Sequence, residues 1–200
     1  HMRERGYCPF CGELAAWEGQ EPVPCGRCLE GQPPWLDAVF WGPHEGLLRA
    51  LLLRLKFQKE LPLAHALGSL LATHPRLQHP AVDIVVPIPL HKASLKQRGF
   101  NQSLELARPI AKRLRLPLDA ASLLKTRGTE PQHNLPRKDR QVNVRQAFAV
   151  RRALIRNKRI LLVDDTMTTG ATMHAAASAL LDAGAASIRV AVISRTAAIF

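Results

Sequence analysis

A chain of 200 residues, 46% hydrophobic and 22% charged, has the balance of a soluble globular protein, with room for one full α/β domain and a small appendage. Its longest leucine-rich run, Leu47 to Leu55, is broken by Arg49 and Arg54 and is too short for a transmembrane helix. The net charge is +12, yet no amphipathic helix with a large aromatic face accompanies it, which argues against a membrane-surface anchor.

His1-Met2 reads as a cloning remnant and a start methionine with no signal peptide after it, so a cytoplasmic location is expected. Four cysteines follow as Cys8-x-x-Cys11, a 13-residue spacer and Cys25-x-x-Cys28. Two such knuckles can set four thiolates tetrahedrally about one Zn2+. Disulfides compete as an explanation, but nothing points to an oxidising compartment. A redox pair would need a βα unit around the motif, and neither has one. Residues 6–31 hold too few large apolar side chains to fold unaided, so structural zinc is expected to stabilise them.

Gln32-Pro33-Pro34 reads as a hinge, and residues 35–200 as the main domain. Leu36 to Trp41 is a predicted strand. From Glu45 to Phe57 leucines recur at helical spacing, and Leu63 to Thr73 is a second helix that ends before Pro75. Both helices read as core, with no chemistry required of Lys56 or Lys59. The β-branched run within Asp83-Ile-Val-Val-Pro-Ile-Pro-Leu-His91 is a buried strand whose ladder ends at Pro87 and Pro89. A basic loop carrying His91, Lys92, Lys96 and Arg98 comes next, then Gly99-Phe-Asn-Gln102 and a helix to about Leu116 that Pro109 should kink. A basic loop at the carboxyl end of a strand is placed to hold a diphosphate, although basic clusters alone are usually solvated. Residues 126–143 are polar apart from Leu135 and Val142, as a lid or binding loop would be. Gln146 to Val150 and Ile188 to Ile193 are predicted strands.

The stretch around which the rest is organised is Arg159-Ile-Leu-Leu-Val-Asp-Asp-Thr-Met-Thr-Thr-Gly-Ala-Thr172. Arg159 to Val163 reads as a short buried parallel strand, with Asp164 and Asp165 at its end. A turn, Thr166-Met-Thr-Thr-Gly170, leads into an alanine-rich helix from Ala171 to about Ala183, stopped by Gly184. A helix N-terminus outside the carboxyl end of a strand offers free N–H groups and positive dipole to an anion. Gly170 lets the backbone approach an oxyanion closely, and Thr168, Thr169 and Thr172 add hydroxyl donors. Two adjacent carboxylates repel phosphate; they suit a sugar diol or a divalent cation. Helix capping would account for one such residue, whereas six of the seven from Asp164 to Gly170 are Asp, Thr or Gly. One phosphate and one vicinal diol a sugar's length apart describe a phosphorylated pentose.

The charge agrees. Residues 92–159 hold 18 Lys/Arg against four acids, Glu105, Asp119, Glu130 and Asp139, while the remainder of the chain is slightly acidic. That fits a polyanion, either a small diphosphate or a nucleic-acid backbone. With only Phe100 and Phe148 as aromatics, the segment would grip nucleic acid by its phosphates rather than by stacking.

The Asp164–Thr172 stretch resembles the phosphoribosyl-diphosphate (PRPP) loop of type I phosphoribosyltransferases, in which Asp164 and Asp165 would be the catalytic carboxylates on the ribose diol and Thr166, Met167, Thr168, Thr169, Gly170, Ala171 and Thr172 would bind the substrate, its 5-phosphate at Thr166–Thr169. Together with the four-cysteine knuckle, Val86-Pro-Ile-Pro-Leu-His91, Arg98-Gly-Phe-Asn-Gln102, and Thr129-x-x-Gln132 with Arg140-x-x-Asn143, it resembles the ComF/GntX family over nearly the whole chain. Thr166 stands where valine is expected, and Lys59 where glycine is commoner. The resemblance implies an α/β type I phosphoribosyltransferase-like fold of about five parallel strands, with the zinc module in place of a base-recognising hood. It implies PRPP with Mg2+ as ligand, with His91, Lys92, Arg98, Asn101 and Gln102 on the diphosphate side. It further implies a role in natural transformation, with single-stranded DNA and the competence machinery at the inner face of the cytoplasmic membrane as partners. The alternative is an active amidophosphoribosyltransferase-like enzyme of nucleotide metabolism, unconnected with DNA uptake.

Overall fold

A computed structural model of the protein describes residues 6–14, 21–78, 81–126 and 147–196. Most of the predicted 126–143 loop, with Thr129, Gln132, Arg140, Asn143 and the start of the strand predicted from Gln146, lies outside these residues.

Four parallel strands form the central sheet: β1 (Ala38–Pro43), β2 (Ile84–Pro87), β5 (Arg159–Met167) and β6 (Ser187–Arg195), in the order β1-β6-β5-β2. A single parallel bridge, Val85 with Leu118, occupies the fifth position beside β2. The strands are continuous apolar runs because both faces of the sheet are covered. Ile160 and Leu162 of β5 pack on one side with Val190 and Val192; Leu161 and Val163 pack on the other with Ala191 and Ile193. Helices α2 (Gly46–Gln58), α3 (Leu61–Leu71) and α5 (Gln102–Leu114) cover the second side, and α6 (Ala171–Asp182) covers the first. Two short antiparallel strands, β3 (Leu123–Lys125) and β4 (Phe148–Val150), make a separate ribbon.

Helix α5 runs through Pro109, whose ring packs against α3 at Gly68. A Cβ built on Gly68 would lie 2.4 Å from the Leu106 carbonyl oxygen and 2.6 Å from Pro109, so only glycine permits this crossing. The predicted basic loop after β2 is instead a helix, α4 (Lys92–Arg98). His91 Nδ1 accepts the Ala93 N–H at 3.4 Å as its cap, and Gly99 ends it at φ 85°.

The N-terminal module, which includes the five-residue α1 (Gly26–Glu30), sits on the α6 side of the sheet. Cys8, Cys11 and Cys28 share one buried cluster with Phe40 and Val192, and Tyr7 meets Phe40 edge to face at 5.2 Å.

Candidate functional site

Strand β5 runs on past its apolar stretch to Met167. β6 carries it through the pairs Asp164–Val192, Thr166–Ser194 and Met167–Arg195, whereas β2 ends opposite Val163. The two carboxylates therefore lie within the strand, at the carboxyl edge of the sheet, where open α/β folds bind ligands. Successive strand residues face opposite ways, and Asp164 and Asp165 meet different surroundings accordingly.

Asp164 borders an open cleft of roughly 260 Å³, lined otherwise by Thr166 to Met173. Its Oδ1 accepts the Ser103 hydroxyl at 2.6 Å and the Asp165 N–H at 2.9 Å. Burial, and then the Asp165 charge beside it, push Asp164 up to about 7, although the Ser103 bond opposes the shift. Asp165 is 4% exposed, and its Oδ2 lies 2.5 Å from Lys56 Nζ at the last turn of α2. Near this pair, His44 Nδ1 lies 2.8 Å from the Ser194 hydroxyl, which is itself 3.3 Å from Thr166 Oγ1. Burial and the Lys56 charge lower the pKa of His44.

At the other end of the cleft the chain turns through Thr168 and Thr169 into α6. Gly170 is its N-cap at φ 81°, a left-handed conformation that a side chain would strain. Thr169 Oγ1 accepts the Ala171 N–H at 3.3 Å. The first turn of a helix leaves backbone donors without intrahelical partners, so this end is electropositive.

Of the residues singled out in the sequence, Asp164, Thr166, Met167, Thr168, Thr169, Gly170, Ala171 and Thr172 line this one cleft. Asp165 turns to Lys56. Asn101 caps α5, accepting the Ser103 N–H at 3.1 Å and donating to the Ile88 carbonyl at 3.0 Å. Gln102 is buried and accepts from Arg98 at 2.8 Å. Asn101 holds the backbone of Ser103, the donor to Asp164, while His91 caps α4 and Lys92 and Arg98 are its first and last residues. Lys56, His44, Ser194 and Ser103 were not anticipated. Lys56 carried a signal, since it falls four residues after Leu52 on the buried stripe of its helix.

The four cysteine sulfurs lie within 4.8 Å of one another, with Cys11 and Cys25 at 3.6 Å; four sulfurs around Zn2+ at about 2.3 Å would sit about 3.8 Å apart. No disulfide joins them. The Cys11 thiol hydrogen-bonds to Cys8 and lowers it to about 4, and the same contact drives Cys11 well above the thiol range. Such a cluster holds four thiolates only around a cation, so the donor set fits zinc.

Residues 101–198 match the phosphoribosyl transferase domain family. The chain is 35% identical to the DNA utilization protein YhgH of Escherichia coli K12, across 96% of this chain and 86% of that protein. It is 31% identical to competence protein F of Haemophilus influenzae, across 92% and 82% respectively. Among solved structures, the glutamine PRPP amidotransferase of B. subtilis complexed with ADP and GMP aligns at a TM-score of 0.47 and 24% identity, over 64% of this chain and 25% of that one.

Proposed function

The chain belongs to the ComF family of phosphoribosyltransferase-like proteins, and from that premise we propose that it binds PRPP with Mg2+ at the β5–α6 turn and acts on single-stranded DNA in natural competence. The observation that carries this reading is the single cleft with an oxygen acceptor at one end and a helix N-terminus at the other. The 5-phosphate takes the donors of Thr168, Thr169 and the first turn of α6, with Gly170 giving room for close approach. The ribose hydroxyls donate to Asp164. Asp165 acts from behind, held by Lys56. A hard oxygen donor with a raised pKa fits Mg2+, which when bound neutralises diphosphate charge. Lys92 and Lys96, exposed on α4 after β2, stand at the same edge of the sheet and attract polyanions. The setting is the cytoplasmic side of the membrane; among the described residues no helix is long and apolar enough to cross one.

Turnover of PRPP is the second reading. Asp164, with a pKa of about 7, can take a proton from an incoming nucleophile at neutral pH. The deciding experiment titrates PRPP into the zinc-loaded protein with Mg2+, with ribose 5-phosphate as competitor. Saturable binding displaced by ribose 5-phosphate is expected, and its absence overturns the reading. Pyrophosphate release assayed with ammonia, bases or DNA as acceptor then separates binding from turnover.

A further inference from the structure

Arg195 is the largest fully buried side chain among the described residues, and every bond its guanidinium makes is to one of two places. On one side are the Cys11 carbonyl, which accepts from Nε at 3.1 Å, and the Glu13 carboxylate, which accepts from Nη2 at 2.6 Å. On the other is the strand end, where Nη1 donates to the carbonyls of Met167, at 3.1 Å, and of Thr168 and Thr196. Glu13 also accepts from Arg27 at 3.0 Å, and Arg27 lies between Cys25 and Cys28. One carboxylate thus touches the loops of both cysteine pairs. Trp35 makes a second bridge: its Nε1 donates to the Phe10 carbonyl at 2.6 Å, its ring meets His174 of α6 edge-on at 6.4 Å, and it lies close to Gly170.

In a planar trans peptide the C=O and N–H point to opposite sides. With the Met167 and Thr168 carbonyls drawn inward onto Arg195, the N–H groups of Thr168 and Thr169 turn away from it, and both residues line the cleft. We propose that Arg195 is a positioning residue that couples metal binding in the four-cysteine module to the presentation of these two amides to an anion. Metal fixes the Cys11 and Glu13 anchors; the anchors fix the guanidinium; the guanidinium fixes the two carbonyls. Buried, charge-assisted bonds are directional enough to transmit this. Coupling is reciprocal, so an anion on the turn must slow metal loss. The anion arm rests on the PRPP reading above, whereas the structural arm does not.

The test uses the full chain, zinc-loaded and zinc-stripped, and follows amide hydrogen exchange at the two bonded amides that report on the turn, Thr196, whose N–H donates to the Met167 carbonyl at 3.0 Å, and His174, whose N–H donates to the Gly170 carbonyl at 2.8 Å. Stripping should speed exchange there at least about fivefold, the low end of coupling effects, while β2 and α5 stay protected. An unchanged turn beside an unprotected cysteine module overturns the proposal. Should the stripped protein unfold throughout, Arg195→Lys with zinc still bound decides, with Glu13→Gln in its place if that variant does not fold: exchange at the turn must rise at constant zinc content, and unchanged exchange overturns the proposal. Zinc release to a chelating dye, with and without PRPP and Mg2+, reads the reciprocal arm. About fivefold slower release is expected in the wild type and none of that protection in Glu13→Gln. Wild type that binds PRPP without slowing zinc release also overturns the coupling. Wild type that fails to bind PRPP removes the PRPP reading instead, and leaves the exchange measurement to decide.

Discussion

At Asp164 and Asp165 two chemically identical side chains, adjacent in sequence, carry opposite energetic signs. Asp164 is an acid whose folded pKa is raised to about 7 from an ordinary value of 3.8. Between those values the native state holds a proton that the unfolded chain has lost, so stability falls as pH rises through the window, and the full penalty is present above pH 7. Asp164→Asn removes it. Thermal unfolding at pH 8 should therefore show this variant melting a few degrees higher, about 2–4 °C per kcal/mol recovered in a chain of this size. If Asp164 receives a ribose hydroxyl, the same substitution should weaken PRPP roughly ten- to a hundredfold. PRPP affinity of the wild type should rise with pH through about 7. Asp165→Asn should behave in the reverse way, because it leaves the Lys56 ammonium, 21% exposed, without its carboxylate. A loss of about 1–3 kcal/mol is expected, with PRPP affected less than by Asp164→Asn. Calorimetry on the two variants checks both halves, and equal melting shifts of the same sign would contradict the assignment.

Among the elements, α2 ends on a residue that the sequence makes awkward. Lys59 closes the helix at φ 57°, ψ 33°, the left-handed conformation natural to glycine, at the position where the family resemblance leads one to expect glycine. Lys59→Gly should raise stability by about 0.5–1 kcal/mol in urea unfolding at neutral pH, since relief of the left-handed strain exceeds the entropy added to the unfolded chain. The body of α2 was legible from the spacing of its leucines, and β2, α6 and the start of β5 from apolar runs closed by a known stop signal, whereas a turn at Lys59 was suggested only by the family resemblance. The far end of β5 was not legible. Asp164 to Thr166 break the apolar pattern, and they stay in the ladder because β6 runs on beside them through buried Ser194, opposite Thr166, to buried Arg195, opposite Met167, polar residues that no hydrophobic period reveals. Helix α4 was missed for a similar reason: its seven residues bury none of their side chains, so no stripe marks it. β3 has three residues, too few for any alternation to register. The site divides along the same line. Its cleft wall is one contiguous motif and could be read, whereas Ser103, Lys56, His44 and Arg195 reach it from distant parts of the chain by contacts that only the fold creates.

On the scale of the whole molecule, described cations of the basic segment 92–159 stand at both edges of the sheet. Lys92 and Lys96 follow the carboxyl end of β2, on the edge that holds the Asp164 cleft. Arg156 and Lys158 precede β5 and Arg159 begins it, on the opposite edge, where Arg159 already pairs with Asp83 at 2.7 Å. Phe148 is buried and Phe100 half-buried, so single-stranded DNA finds little aromatic surface in this segment and is expected to bind by phosphates. A located track and a diffuse field can therefore be told apart. Lys92→Ala with Lys96→Ala, and Arg156→Ala with Lys158→Ala, each remove two charges, and long-range attraction falls alike in both. If DNA runs along the cleft edge, only the first pair loses phosphate contacts. Each contact on a single strand contributes about 0.7 to the slope of log affinity against log salt, so the slope should flatten by about 1.4 in the first pair and stay at the wild-type value in the second. Fluorescence anisotropy with an oligothymidine from about 50 to about 300 mM salt measures both. Equal flattening in the two variants would mean that the charge acts as a field, and the cleft edge would then lose its claim to the DNA.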